Sequence, residues 1–165
     1  MRIKKTITGT EPVTVSEMKE WLKVDFSDDD TMIGLLITNV RDMVEEFTGL
    51  SLIASTINAE YLISDVSDSD VHLPYPEHDS VTSVTIEEAE LETTITGNNR
   101  KVVSFENLVG YNDNQVVEIE FTTTGYCPEG IKMQIKKAVA HIYENRETGG
   151  LPEGVLAGLM QYCEV

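Results

Sequence analysis

Asp25, Asp28, Asp29 and Asp30 crowd one short stretch of this sequence, and hard divalent cations are held by several oxygens of that kind. A calcium loop also needs a central glycine and a closing glutamate at fixed spacing, and neither stands in register with these aspartates. They are predicted instead to open a helix, where carboxylates meet the partial positive charge of free amides. Cys127 precedes a helix start, the position of an activated thiolate, with His141 as a candidate base. About four helical turns separate the two, too far to touch. His72 and His78 are the other histidines, and nothing in their spacing pairs them with a nucleophile. Glu87-Glu88, and Glu118 with Glu120, have the composition of an acid–base pair. On a strand, however, alternate carboxylates describe a solvated face.

No glycine-rich phosphate loop and no nucleophile elbow occurs, so the chain is not predicted to be an enzyme, and no cofactor or metal is expected. Two cysteines, Cys127 and Cys163, are too few for a disulfide framework, and their separation fits no zinc pattern. Reduced, partly buried thiols in a protein made in cytoplasm are the expectation. The basic start, MRIKK, is followed by no apolar run or small-residue cleavage site and reads as mature protein.

The formal net charge is −17, and its placement is informative. Between Arg41 and Arg100 there is no Lys or Arg, while thirteen carboxylates occur. Affinity for nucleic acid rests on neutralising phosphates with cations, so the middle of the molecule is not expected to grip DNA or RNA, although it suits a passage that DNA must not stick to. With 165 residues and 41% apolar composition the chain is long enough to bury a sizeable core. It holds no apolar run of the length a membrane span needs.

The elements that carry these residues follow from hydropathy period. Pro12 and the capping box Thr14-x-x-Glu17 announce a first helix to about Leu22. Ser27 is predicted to start a second helix, with Asp28, Asp29 and Asp30 in its first turn and Gly49 at its end. Ile33, Leu36, Ile37, Val40, Met43, Val44 and Phe47 form its apolar face, widened by Met32 and Leu35, while Thr38, Asn39, Arg41, Asp42, Glu45 and Glu46 are expected in solvent.

The period then changes to that of strands. Strands are predicted at Ser51–Ile63, Val71–Leu73, Ser80–Glu87, Leu91–Thr96, Lys101–Phe105 and Gln115–Thr122, with turns at Asp65–Asp70, Gly97–Asn99 and Tyr111–Asn114. The pair flanking Gly97–Asn99 is predicted to be an antiparallel hairpin. A third helix is predicted from Pro128, at its first position, to about Glu147, with Ile131, Ile135, Ala138, Val139 and Ile142 inward and Lys132, Lys136 and Lys137 outward. After a break at Thr148-Gly149-Gly150, a short helix over Pro152–Tyr162 presents Val155, Leu156, Leu159 and Met160. The fold class expected is α+β: three main helices and a short C-terminal one forming a helical core from 11–50 and 128–165, with an antiparallel β-rich insertion over 51–125, as a single subunit. No internal repeat is present.

Four separated pieces of the sequence resemble one family. They are Pro12-Val-Thr-Val-Ser-Glu-Met-Lys with Leu22-Lys-Val-Asp, the Asp-rich turn and Glu45-Glu-Phe-Thr-Gly49; Leu73-Pro-Tyr-Pro with Val81-Thr-Ser-Val84; Pro128-Glu-Gly-Ile-Lys with Ala138-Val-Ala-His-Ile-Tyr-Glu-Asn-Arg-Glu147; and Leu151-Pro152 with Leu159-Met-x-Tyr162. In this order they resemble the head-tail connector (adaptor) proteins of tailed bacteriophages and related gene-transfer particles. Family members carry a basic residue soon after the final Leu-x-x-Tyr, where this sequence has Cys163-Glu-Val.

The resemblance implies a structural virion protein at the head-tail junction, assembled with its own copies in a ring, twelve-fold as in the family. It implies contact with the portal protein on one side and a head-closure or tail protein on the other, genome DNA passing without specific binding, and no membrane. Val155, Leu156, Leu159, Met160 and Tyr162 become candidates for portal docking, and Lys132, Lys136 and Lys137 for pairing with acids of a neighbouring subunit. The alternative from the residues alone is a soluble acidic binding module or small hydrolase with its site near His72 and His78.

Overall fold

The computed structural model of the chain describes residues 1–66, 70–98, 100–105, 108, 110–146 and 150–163. It forms two compact units, Met1–Gly9 with Ile53–Gly125 and Thr10–Leu52 with Tyr126–Val165. The predicted turn at Asp65–Asp70 lies partly outside the described residues, as do Asn99, the expected helix end at Glu147, the break at Thr148-Gly149 and the last two residues.

The first unit is all β. Strands β1 (Arg2–Ile7), β2 (Ser55–Leu62), β3 (Asp70–His72), β4 (His78–Ile86), β5 (Ala89–Glu90), β6 (Thr93–Thr96), β7 (Val102–Phe105) and β8 (Val116–Thr123) form two antiparallel sheets, ordered β1-β2-β8-β4-β5 and β3-β7-β6. Period-two alternation sends Ile57, Ala59 and Tyr61 of β2 and Val117, Ile119 and Phe121 of β8 inward, where they share one core with Val71, Val103 and Phe105 of the smaller sheet. The hairpin flanking Gly97 has the predicted pairing, Thr96 opposite Val102.

Two features differ from expectation. No strand is predicted at Arg2–Ile7, yet those residues pair in register with Ser55–Glu60 and form an edge of the larger sheet. The sheet is therefore not built solely from an insertion between the second and third helices; one edge enters from before the first. Arg2, Lys4 and Lys5 suit this edge position, because cations are a usual means of discouraging an edge from pairing with other chains. The strand predicted from Ser51 starts only at Ser55, because backbone groups just before it are used elsewhere: Ser51 O accepts from Tyr126 N–H (2.8 Å) and Ala54 O from Thr8 and Gly9 N–H (both 2.9 Å). At Gly125, φ is +81°, and a Cβ there would lie 2.6 Å from the Ala54 nitrogen, so the chain leaves the sheet through a position that only glycine fits.

The second unit is helical: α1 (Val15–Leu22), α2 (Asp30–Thr48), α3 (Glu129–Asn145) and α4 (Glu153–Leu159, extended by a 3₁₀ turn, Met160–Tyr162).

 

In α1 both bonds of the predicted capping box are made: Glu17 N–H donates to Thr14 Oγ1 (3.2 Å) and Thr14 N–H to Glu17 Oε2 (2.8 Å). The helix ends at Lys23, in the left-handed conformation. The second helix starts later than Ser27. Only Asp30 lies in its first turn, and the capping residue, Asp29, makes no side-chain cap bond. Those two carboxylates are spent on neighbouring helices instead: Asp30 accepts from Lys19 Nζ (2.7 Å) and Asp29 from the Tyr143 hydroxyl (2.5 Å). Pro128 is the extended residue before α3 rather than its first helical residue. The predicted inward residues of α3, Ile131, Ile135, Ala138, Val139 and Ile142, are all buried.

The buried side of α2 is turned relative to expectation. Ile33, Ile37, Val40 and Val44 face inward as predicted, but so do Arg41, Glu45 and Thr48, while Met32, Leu35 and Phe47 are exposed. The cause is an ion-pair network. Arg41 Nε donates to Glu11 (3.0 Å to Oε2), and its Nη1 donates to Glu45 Oε2 (2.9 Å) and to Asp42 (2.5 Å). Glu45 Oε1 then accepts the Leu52 N–H (2.7 Å). A buried charge is tolerated where it is paired and hydrogen-bonded, so the network lets the polar flank of α2 turn inward.

Candidate functional site

The residues with reactive chemistry are tied into structure. His78 is 6% exposed and packs edge-on against Phe121, ring centroids 5.2 Å apart. Its Nδ1 accepts the Lys101 N–H (2.8 Å) and its Nε2 faces the Pro74 carbonyl (2.9 Å), an arrangement that fits a neutral ring protonated on Nε2. Burial lowers its pKa, outweighing the Pro74 carbonyl that raises it. With both nitrogens occupied, no lone pair is left to take a substrate proton. The ring instead clamps a loop in which Tyr75 (φ 61°) and Glu77 (φ 64°) are left-handed, a costly backbone for such residues. His72 stands exposed on β3 opposite Val102.

Glu87 and Glu88 both have positive φ, 49° and 70°, and connect β4 to β5 as the two central residues of a tight turn. Glu87 accepts from Gln115 Nε2 (3.0 Å). Glu118 and Glu120 lie on the outer face of β8, Glu118 directly opposite Glu60 of β2 and Glu120 opposite Asn58. Arg2 of β1 pairs with Glu60 at 3.9 Å. Cys127 is half-buried, and burial pushes its pKa up to about 11, against a smaller downward pull from Lys132. A thiol held there is protonated and inert at neutral pH, in line with the reduced, partly buried thiol expected from the sequence. His141 lies near the far end of α3, with Asn145 Nδ2 3.2 Å from its Nδ1.

The residues predicted to meet partners divide by burial. Val155 (3% exposed) and Leu159 (fully buried) belong to the core of the helical unit, where α4 packs on α3. That close approach depends on small residues: the Tyr162 hydroxyl fills the space a Cβ on Gly130 would take, and Gln134 does the same at Gly158. The outer side of α4 keeps Leu156 half-buried and Met160 66% exposed, and Tyr162 is half-buried. On α3, Lys132 pairs with Glu129 (2.6 Å) and Lys136 with Glu17 (3.6 Å), both within the chain, while Lys137 is exposed.

The apolar face predicted for α2 is present, but one flank of it, expected to be covered, is left in solvent. Met32 (44% exposed), Leu35 (68%) and Phe47 (37%), joined by half-buried Leu36 and Met43, run along its outer side. An open groove of about 630 Å³ beside Met32 and Leu36 is bordered by Ile142, Tyr143 and Arg146 of the α3 end, and a shallower one of about 450 Å³ beside Met43 and Phe47 by Leu151 and Leu156. The signal available in sequence was the Arg41–Glu45 spacing of four residues, the helical distance for an ion pair.

The helical unit exposes apolar flanks, and in the acidic antiparallel β unit the titratable groups described above serve as clamps, turns and a solvated face. The chain belongs to the head completion protein family, whose model matches residues 11–149. That places it with the connector-type proteins of phage heads, as the separated motifs suggested, and makes its role a structural one in the virion. The match ends before α4 and begins after β1. No curated protein matches the chain. Among the described residues, no helix is long and apolar enough to cross a membrane.

Proposed function

We propose that the chain is the subunit of a ring joining the portal of the phage head to the tail, twelve-fold as in the connector family, with the portal protein on one side and a head-closure or tail protein on the other. The observation that carries this reading is the family match across residues 11–149. Charge supports it. Between Arg41 and Arg100 the sequence has no cation, and on the outer face of the larger sheet Glu60, Glu118 and Glu120 outnumber Arg2 and Lys4, which β1 brings to the same face. Such a surface lets a packaged genome pass without being held.

Within the subunit, α4 offers Met160, with Leu156 and Tyr162 beside it, to the portal, while Val155 and Leu159 hold α4 in place from beneath. Lys137, flanked by Lys132 and Lys136, faces a neighbouring copy. Truncation after Thr148 would strip the helical core of Val155 and Leu159, so the informative change is on the surface. Met160→Asp is expected to leave a folded protein and to give filled heads without tails, seen by electron microscopy of lysates. Tailed particles at the wild-type frequency would remove α4 from the portal contact. Imaging of normal particles that finds no ring of this chain between head and tail would remove the reading as a whole.

A further inference from the structure

The larger sheet ends in two edges of opposite charge. One is β1, where Arg2 and Lys4 are exposed on the outer face, Arg2 beside Glu60 and Lys4 beside Asn58. Lys5 points to the other face and lies over the Tyr75 ring, 5.2 Å from its centroid. The opposite edge is incomplete. There β5 pairs only with Thr85 and Ile86 of β4, and the Leu91 N–H adds one bond to the Val84 carbonyl (2.9 Å), so among the described residues no strand lines that side of β4 from Asp79 to Ser83. An open groove of about 180 Å³ lies between this stretch and Leu91, Thr93 and Ile95. Glu87, Glu88, Glu90 and Glu92 are exposed at its β5 end, whereas Arg100 and Lys101 stand by His78 at the other end of β4. Each edge also leaves a core-side isoleucine uncovered. Ile7 alternates with Ile3 on the inner face of β1, and Ile95 stands opposite fully buried Val103, yet both are 43% exposed.

The cations of β1 deter a second β1, and the carboxylates around β5 deter a second edge of that kind. Unlike edges attract, and a contact between unlike surfaces is heterologous, propagating into a ring when the rotation closes. Strand direction permits the contact. Three antiparallel steps separate β1 from β4, so a copy rotated about an axis along the strands brings its β1 antiparallel to the β4 of its neighbour. In that direction Arg2 and Lys4 arrive at the end that carries Glu90, and uncharged Thr6 and Ile7 at the end that carries Arg100. We infer that β1 of one copy adds to the open β4 edge of the next between Asp79 and Ser83, its core-side isoleucines covering Ile95 and its Arg2 and Lys4 beside Glu90 and Glu92. The inference rests on the ring reading and adds which two surfaces of the subunit meet. Backbone pairing and covered apolar surface supply the stabilisation, and the charges select the partner edge and its direction. A sheet continued in this way around a ring has no free edge left.

A photo-activated crosslinker placed at Thr82, exposed within the open stretch of β4, tests the inference in assembled particles. The expected result is copy-to-copy crosslinking mapped by mass spectrometry to the N-terminal peptide containing Arg2–Ile7. Copy-to-copy crosslinks from Thr82 that map elsewhere would overturn this pairing and leave the ring standing. Crosslinks solely to a different virion protein, or solely within one chain, would also overturn it. If scanning the crosslinker over the whole exposed surface yields no copy-to-copy product, the ring itself fails. Charge reversal gives an independent check. Arg2→Glu with Lys4→Glu, and Glu90→Lys with Glu92→Lys, should each lower the yield of tailed particles about tenfold or more, and the four changes together should restore most of it. Additive losses in the combined variant would refute the pairing. All four side chains are exposed, so thermal melts of the variants should match wild type.

Discussion

Replacing Arg41 by Met removes the charge at the centre of the helical unit's ion-pair network while keeping a long, flexible side chain. The three carboxylates it serves differ in exposure, and exposure sets the cost. The Glu45 side chain is 8% exposed and loses its bond from Nη1 while keeping that from the Leu52 N–H; removing the cation from a buried ion pair of that kind costs about 3 kcal/mol or more. Glu11 is 30% exposed and can rehydrate, so its loss is no more than about 1 kcal/mol. Asp42 is 61% exposed and should contribute nothing measurable. The expected destabilisation is therefore about 3–4 kcal/mol, a fall in melting temperature of roughly 10 °C for a chain of this size. Urea unfolding is the assay, followed by far-UV circular dichroism and by the fluorescence of Trp21, the chain's single tryptophan, which lies on α1. Adding Glu45→Leu to Arg41→Met should recover much of the loss, because it removes the stranded anion. Arg41→Met within about 1 kcal/mol of wild type would refute the account of why α2 turns its polar flank inward.

The remaining predictions concern single buried groups. Burial lowers the folded-state pKa of His78 below its ordinary 6.5, so the unfolded chain takes up the proton first as pH falls. Its contribution is full above about pH 6.5 and is lost as pH falls toward the folded value. His78→Phe should cost about 1–3 kcal/mol at neutral pH, because the Lys101 N–H and Pro74 carbonyl lose a partner, and should weaken the acid sensitivity of the β unit; equal pH slopes in both proteins would contradict this. The Tyr61 hydroxyl is buried with no hydrogen-bond partner among the described residues, and burial raises its pKa to about 12. Tyr61→Phe should be neutral or stabilising by up to about 1 kcal/mol in urea titrations, and a loss of more than about 1 kcal/mol would mean the hydroxyl is satisfied. Cys127, with its pKa near 11, should react with a thiol reagent at neutral pH only after unfolding; rapid labelling of the native protein at Cys127, located by peptide mapping, would overturn its assignment as a buried thiol.

Local signals in the chain were sufficient wherever neighbouring residues decide the outcome. The Thr14–Glu17 box, the inward stripe of α3 and the alternation of β8 all follow from spacing along one element, because caps and periodicity are satisfied within a few residues. The resemblance carried by Leu73-Pro-Tyr-Pro and the other separated pieces likewise placed the chain in its family from sequence alone. Tertiary structure decided what depends on distant partners. Arg2–Ile7 becomes a strand because Ser55–Glu60 lies alongside to receive it. Arg41 and Glu45 become buried because Glu11 and the Leu52 amide complete their bonds, and that rotation brings Met32, Leu35 and Phe47 to the surface. The composition of a helix fixes that it has an apolar side and a polar side. Which side faces solvent depends on whether its charges find partners, and those partners lie 30 residues before Arg41 and seven after Glu45.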